Sequence, residues 1–376
     1  MKAQFPQLHF ITIFLLLNFL FLVSEVTFAQ TANIKSIYLI GDVGTINYPR
    51  KMNVLYHLSK DIKHSGVNSG VIFLGDNLYL EGLTDTSSRL LKKLNAQLNV
   101  LQNYHGYAYF VPGNHDWKHM DVDNGKEVLL QEEERIESYY RKYLVDSLAN
   151  REEIFYPSNG QPGPQYQDIG NGPGKVRIIM FDSQWFLQPV KGSSLPQCKY
   201  YPAQMEKFKV DLQSILTETE KTGIKNVIVA AHHPIYTNGR HGNDAIKNKD
   251  KKQKPTIQDI YHADNLLMTS TINEIMKAHD EKLNITFASG HEHLLECYIE
   301  PYNTNINYIV SGRGGEQHAF GHFTPINNSC KEELDCFKHK TGYFRVDYLE
   351  DGSEKIFICY KTLFKFKTRI VTNKID

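Results

Sequence analysis

Seven short apolar runs along this chain each stop at a polar turn, most of them carrying Asp, Asn or His, and no other feature limits the fold as strongly. Ile37 to Ile40 runs into Gly41-Asp42, Val71 to Leu74 into Gly75-Asp76, and Tyr107 to Val111 into Gly113-Asn114-His115-Asp116. Later, Val176 to Phe181 reaches Asp182, Val227 to Ala231 reaches His232-His233, Ile285 to Ala288 reaches Gly290-His291, and Tyr308 to Val310 reaches Ser311-Gly312. Continuous apolar runs this short suit strands buried on both faces. Helical patterns lie between several of them, around Met52 to His64, Arg89 to Gln102, Lys126 to Leu148, Pro202 to Leu216 and Asn265 to His279. The alternation predicts a layered α/β fold. In open α/β sheets the loops beyond the carboxyl ends of the strands share one crevice, so these distant turns can deliver their side chains to one place.

Two terminal segments stand apart. Lys2, an apolar run of 14 residues from Phe10 to Val23, and Thr27-Phe28-Ala29 read as a signal peptide over residues 1–29, leaving 30–376 as a single domain. The run is short of the roughly 20 residues that span a bilayer, which argues against an uncleaved anchor and for a mature chain without an integral span. The expected location is therefore exported: secreted, periplasmic or lysosomal according to the host. At the other end, Tyr343 to Tyr348, the Asp351-Gly352 turn and Lys355 to Tyr360 read as a hairpin, followed by a strand from Leu363 to Val371. We expect residues 341–376 to complete the sheet system.

Composition narrows the function classes. The 376 residues carry 42 Lys+Arg against 42 Asp+Glu, a balance that argues against a nucleic-acid binder. Loss of residues 1–29 removes Lys2 and Glu25 and keeps it. Five cysteines without CxxC spacing suggest neither a zinc ribbon nor a thioredoxin-like site; Cys330 and Cys336 are near enough to staple a loop or to stay thiols.

Asp42, Asp76, Asn114, His232, His291 and His293 form a mixed oxygen and nitrogen donor set, suited to first-row metals rather than to Ca²⁺ or Mg²⁺ alone. Six donors exceed one tetrahedral site, and a bridging carboxylate could hold two ions about 3.5 Å apart, the spacing used in phosphoryl displacement. Each piece alone is unspecific, since a strand-terminal Gly-Asp is also an ordinary turn.

In order, however, Gly41-Asp42-Val43-Gly44, Gly75-Asp76-Asn77-Leu78-Tyr79, Gly113-Asn114-His115-Asp116, Ala231-His232-His233-Pro234 and Gly290-His291-Glu292-His293 resemble the calcineurin-like metallophosphoesterase superfamily. Tyr79, three residues after Asp76, narrows the resemblance to the purple acid phosphatases, particularly the small tartrate-resistant type. The resemblance implies a four-layer α/β/β/α sandwich with two mixed sheets. It implies Fe(III) held by Asp42, Tyr79 and His293, with Asp76 bridging to a second ion, Fe(II), Zn(II) or Mn(II), completed by Asn114, His232 and His291. A Tyr79 phenolate would favour the trivalent ion and give the purple colour. His115 and His241 would be the catalytic pair that orients phosphate and assists the leaving group, with Asp116 orienting His115.

The implied activity is a secreted acid phosphatase that hydrolyses phosphate monoesters by in-line attack of a metal-bound hydroxide. Its expected partner is a small phosphorylated substrate, an aryl or alkyl phosphate, a nucleotide or a phosphoprotein, and the expected state is a monomer. The alternatives are a phosphodiesterase or nucleotidase using the same metals, and a non-catalytic binding protein on this scaffold. The last predicts lost donors, and none of the seven is missing. Arg240 to Lys254 is basic, which reads either as a solvated loop or as one that steers anions. Trp117 and Trp185 read as packing residues, with Trp117 a candidate for the pocket wall.

Overall fold

Two mixed sheets face each other, and helices cover their outer faces. A computed structural model describes residues 34–46, 53–85, 88–118, 121–150, 152–171, 174–242, 255–299, 305–315, 335–336, 340–362 and 365–373. The strands are β1 (Lys35–Ile40), β2 (Gly70–Leu74), β3 (Tyr107–Val111), β4 (Gln165–Ile169), β5 (Val176–Met180), β6 (Asn226–Ala230), β7 (Asn284–Ser289), β8 (Leu295–Ile299), β9 (Ile306–Ser311), β10 (Asp335–Cys336), β11 (Gly342–Tyr348), β12 (Glu354–Lys361) and β13 (Phe366–Asn373). The helices are α1 (Val54–Lys63), α2 (Ser88–Leu98), α3 (Gly125–Tyr139), α4 (Ser183–Leu187), α5 (Gln197–Tyr200), α6 (Pro202–Thr222) and α7 (Ala263–Lys277).

One sheet runs β13-β12-β11-β1-β2-β3 and the other β10-β8-β9-β7-β6-β5-β4. In the first, β1, β2 and β3 are parallel, and β11 joins β1 antiparallel, with Ile37 opposite Val346. The expected C-terminal hairpin and strand thus extend the first sheet. In the second, β5, β6, β7 and β9 are parallel, with β4 and β8 antiparallel at the flanks. This is the expected α/β sandwich with two mixed sheets.

Strand alternation divides the core. Ile37, Leu39, Ile72 and Leu74 meet Ile178, Met180, Ile228 and Ile309 between the sheets, while Tyr38, Ile40, Val71 and Phe73 pack outward with helical residues such as Leu55, Leu58 and Leu94. Burial on both faces explains the unbroken apolar runs.

Helix limits follow local chemistry. Asn53 caps α1, its side chain accepting the Tyr56 amide at 3.0 Å, and α6 opens on Pro202 and closes at Gly223, whose φ of 78° is left-handed. The short strands β4 and β8 and helix α4 have no counterpart in the sequence reading, because each lies in or beside a polar loop. Cys198, Cys297 and Cys359 are buried cysteines outside any disulfide. Residues 1–29, expected to be a signal peptide, Cys330 and the lysines of 247–254 lie outside the described residues.

Candidate metal centre

The carboxyl ends of β1, β2 and β3 and of β6 and β7 bring all nine expected side chains together. Asp42 and Asp76 follow β1 and β2 with φ of 59° and 52°, and His291 follows β7 with φ of 68°. Non-glycine residues seldom adopt this left-handed backbone, and such strain collects at functional sites. Close approach demands glycine beside them: a Cβ on Gly113 would lie 2.3 Å from the Asp76 nitrogen, and one on Gly290 would lie 2.6 Å from Asp42 Oδ2.

Two groups of donors share Asp76. In the first, the Tyr79 hydroxyl donates to Asp42 Oδ1 at 2.7 Å and lies 3.1 Å from His293 Nε2, itself 3.4 Å from Asp42 Oδ1. In the second, Asn114 Oδ1 lies 2.9 Å from His232 Nε2 and 3.1 Å from His291 Nδ1. Asp76 Oδ1 stands 3.4 Å from His232 Nε2, and one donor atom each from Asp42, Asp76 and His232 lie within 4.8 Å of one another, all three residues buried. The Asp42 carboxylate is fixed from behind by the His291 amide at 2.9 Å.

Backbone carbonyls select the histidine tautomers. His232 Nδ1 donates to Leu74 O at 2.9 Å, which turns Nε2 toward Asn114 and Asp76. His291 Nε2 donates to Gln258 O at 3.2 Å, which leaves Nδ1 as its inward nitrogen. Outer partners of this kind orient the histidines of metal sites. The donor set, its charge and its tautomers therefore fit a pair of cations.

Electrostatics sharpen this. Burial opposes ionisation of Asp76, but His232 and His115, then hydrogen bonds from Tyr79 and the His115 amide, outweigh it and hold the carboxyl below the ordinary range. Burial, then Asp42 and Asp76, push the Tyr79 phenol well above its ordinary value, so a cation held there would have to displace its proton. Burial and then the neighbouring imidazoles of His233, His241 and His232 keep His291 neutral well below its usual range. His232 and His293 are raised, because the carboxylates near them outweigh desolvation.

His115 and His241 flank the donors. His115 Nδ1 donates to Leu80 O, its ring lies 4.5 Å from that of Tyr79, and Nε2 is 3.9 Å from Asp76 Oδ2. The His241 ring lies 4.5 Å from that of His291, and its Nδ1 donates to Asp259 Oδ1 at 2.7 Å.

Asp116 departs from the expectation. Its carboxylate does not hold the His115 ring; it accepts the amides of Gly113 at 2.8 Å, Leu78 at 3.1 Å and Asn77 at 3.2 Å, locking two donor loops together. Three converging backbone amides outcompete a neighbouring ring. Trp117 is buried with its indole donating to Asp182 at 2.8 Å, the environment of a packing residue.

Several supporting residues escaped the sequence reading. Gln258 accepts from His291 at its carbonyl and, at Oε1, from His233 Nε2 at 2.7 Å, while Asp259 beside it holds His241. Glu292 accepts the amides of Arg240 at 2.9 Å and His241 at 2.6 Å, joining the β6 and β7 loops. The one available signal was an acid between two candidate ligands in His291-Glu292-His293.

Comparison with known proteins agrees with the geometry. The family model described as calcineurin-like phosphoesterase matches residues 35–295. Purple acid phosphatase 3 of Arabidopsis thaliana is 22% identical over 334 residues, covering 88% of this chain and 75% of that protein. In fold, the chain resembles a solved structure described as GAP50, the anchor in the inner membrane complex of Plasmodium. The TM-score is 0.51 at 17% identity, covering 91% of this chain and 90% of that one. Among the described residues no helix is long and apolar enough to cross a membrane. The matched segment carries the Asp42, Asp76 and His232 cluster of a hydrolase family that works through two metal ions on phosphate compounds, and the chain belongs to the calcineurin-like phosphoesterases.

Proposed function

We propose that the protein is an exported acid phosphatase that hydrolyses phosphate monoesters at a dinuclear centre, in a single-domain, monomeric chain released from its signal peptide. The observation that carries this reading is the Tyr79 hydroxyl set between Asp42 Oδ1 at 2.7 Å and His293 Nε2 at 3.1 Å, where a phenolate would select a trivalent ion. Asp42, Tyr79 and His293 would hold Fe(III), Asn114, His232 and His291 would hold Fe(II), Zn(II) or Mn(II), and Asp76 would bridge. Bound there, the ions would neutralise phosphate oxygens and draw a nucleophile from solvent under acidic conditions.

The chain's own residues do the rest. His115, anchored through Nδ1, keeps Nε2 beside Asp76, and its protonated form can donate to a departing alcohol. His241, anchored on Asp259, presents its other nitrogen for a phosphate oxygen. The likeness to the plant purple acid phosphatase over most of both chains supports the acid phosphatase reading.

Phosphate release from an aryl monoester between pH 4 and 8, before and after chelation, tests the proposal against a bis-aryl diester. Metal-dependent turnover favouring the monoester supports it; no turnover, or preference for the diester, overturns it.

A further inference from the structure

Helix α2 supplies no donor to the centre, yet two of its side chains reach the loop that presents Tyr79. Lys93 is only 7% exposed, and its ammonium donates to the Tyr79 carbonyl at 2.8 Å. One turn on, the buried Gln97 donates from Nε2 to the Asn77 carbonyl at 2.6 Å. Residues four apart share a helix face, so the pair grips the carbonyl side of the loop while Asp116 grips its amides at Asn77 and Leu78.

The choice of lysine is the informative part. A neutral amide satisfies a buried carbonyl, as Gln97 does. Taking an ammonium out of water is costly, and burial, then Arg89, depress the Lys93 amine. What the charge adds is a hydrogen bond roughly twice as strong as a neutral one. That stiffness falls on the residue where direction matters most, because the Tyr79 phenol has to meet both Asp42 and His293 while the following Leu80 is 70% exposed.

We propose that Lys93 is a positioning residue for Tyr79, its charged hydrogen bond fixing the phenol's direction and with it the retention of the first ion. This rests on Tyr79 being a ligand, as proposed above. Outer partners of a ligand typically change metal affinity by about 10- to 100-fold.

The test is to load wild type, K93M and K93R with iron and zinc and titrate each with a chelator, following the visible band, metal content and thermal midpoint. The expected result is about tenfold weaker iron retention and a weakened or shifted band in K93M, with zinc retained, and restoration of both in K93R. A K93M protein with wild-type iron retention and band overturns the proposal. So does loss of both metals in step with the thermal midpoint and without rescue in K93R, which marks a merely structural lysine. Should K93M fail to fold, K93Q takes its place, and wild-type retention there is equally contrary. A wild type that binds no iron sinks the Tyr79 reading itself, a result distinct from a coloured wild type whose variants are unchanged.

Discussion

Around Tyr79 the donors are carboxylate and phenol oxygens, and the one histidine among them, His293, has a side chain 39% exposed; around Asn114 the histidines His232 and His291 are buried and pinned on carbonyls. The nitrogen-rich half is preset. Its tautomers are fixed, and burial keeps His291 neutral, although His232 is drawn the other way by Asp76 and Asp42. In the proposed centre the oxygen-rich half would be completed only once a cation displaced the Tyr79 proton, which burial and two carboxylates hold in place. With Asp76 bridging as proposed, the two halves would prefer different ions, a strong Lewis acid on one side and an ordinary divalent ion on the other.

The largest effect is expected where the two halves meet. Asp76→Ala should empty both, with loss of both metals by elemental analysis and at least about a thousandfold fall in kcat/KM for an aryl phosphate. Retained turnover would remove Asp76 from the bridge. Tyr79→Phe should break the halves apart: iron retention weakens by about a hundredfold and any visible band disappears, while the ion at His232 and His291 stays. Equal loss of both ions would mean that the halves are not separable.

Asp259→Asn reaches a smaller target. Its carboxylate holds His241 and touches no donor, so kcat should fall about tenfold with both ions and the band intact. An unchanged kcat would leave His241 outside the reaction.

The residues that were legible in the sequence are those that end buried strands. Asp42, Asp76, Asn114, His232 and His291 each follow a short apolar run, and a parallel sheet sends such positions to one crevice. The supporting residues were hidden for a physical reason: they act on backbone atoms or from elsewhere in the chain. Lys93 and Gln97 sit on a helix beside Leu94 and Leu98, where a buried lysine and an exposed one, Lys92, look alike by type. Asp259 approaches His241 from a segment 18 residues away, and Asp116 lies next to His115 in sequence yet spends its carboxylate on three amides. Helix periodicity could have flagged Lys93 and Gln97; nothing local marked Asp259.

Outside both halves, Asp182 offers a control with no expected effect on activity. Burial raises its carboxyl to about 7 against the hydrogen bonds from the Trp185 amide and the Trp117 indole. The folded chain therefore holds a proton that the unfolded chain releases near pH 4, so this group's contribution is fully present below about pH 4 and is lost as pH rises toward 7. Relative to wild type, Asp182→Asn should gain up to about 1.4 kcal/mol for each pH unit across that window and nothing further above it, as read by denaturant unfolding. A difference independent of pH would show that Asp182 is ionised when folded.

The most direct test of the two-sided centre is the visible spectrum of the purified wild-type protein with elemental analysis of the same sample. A charge-transfer band with about two metals per chain, one of them iron, is the predicted result. A colourless protein carrying a zinc or manganese pair would contradict it and leave Tyr79 without its ion.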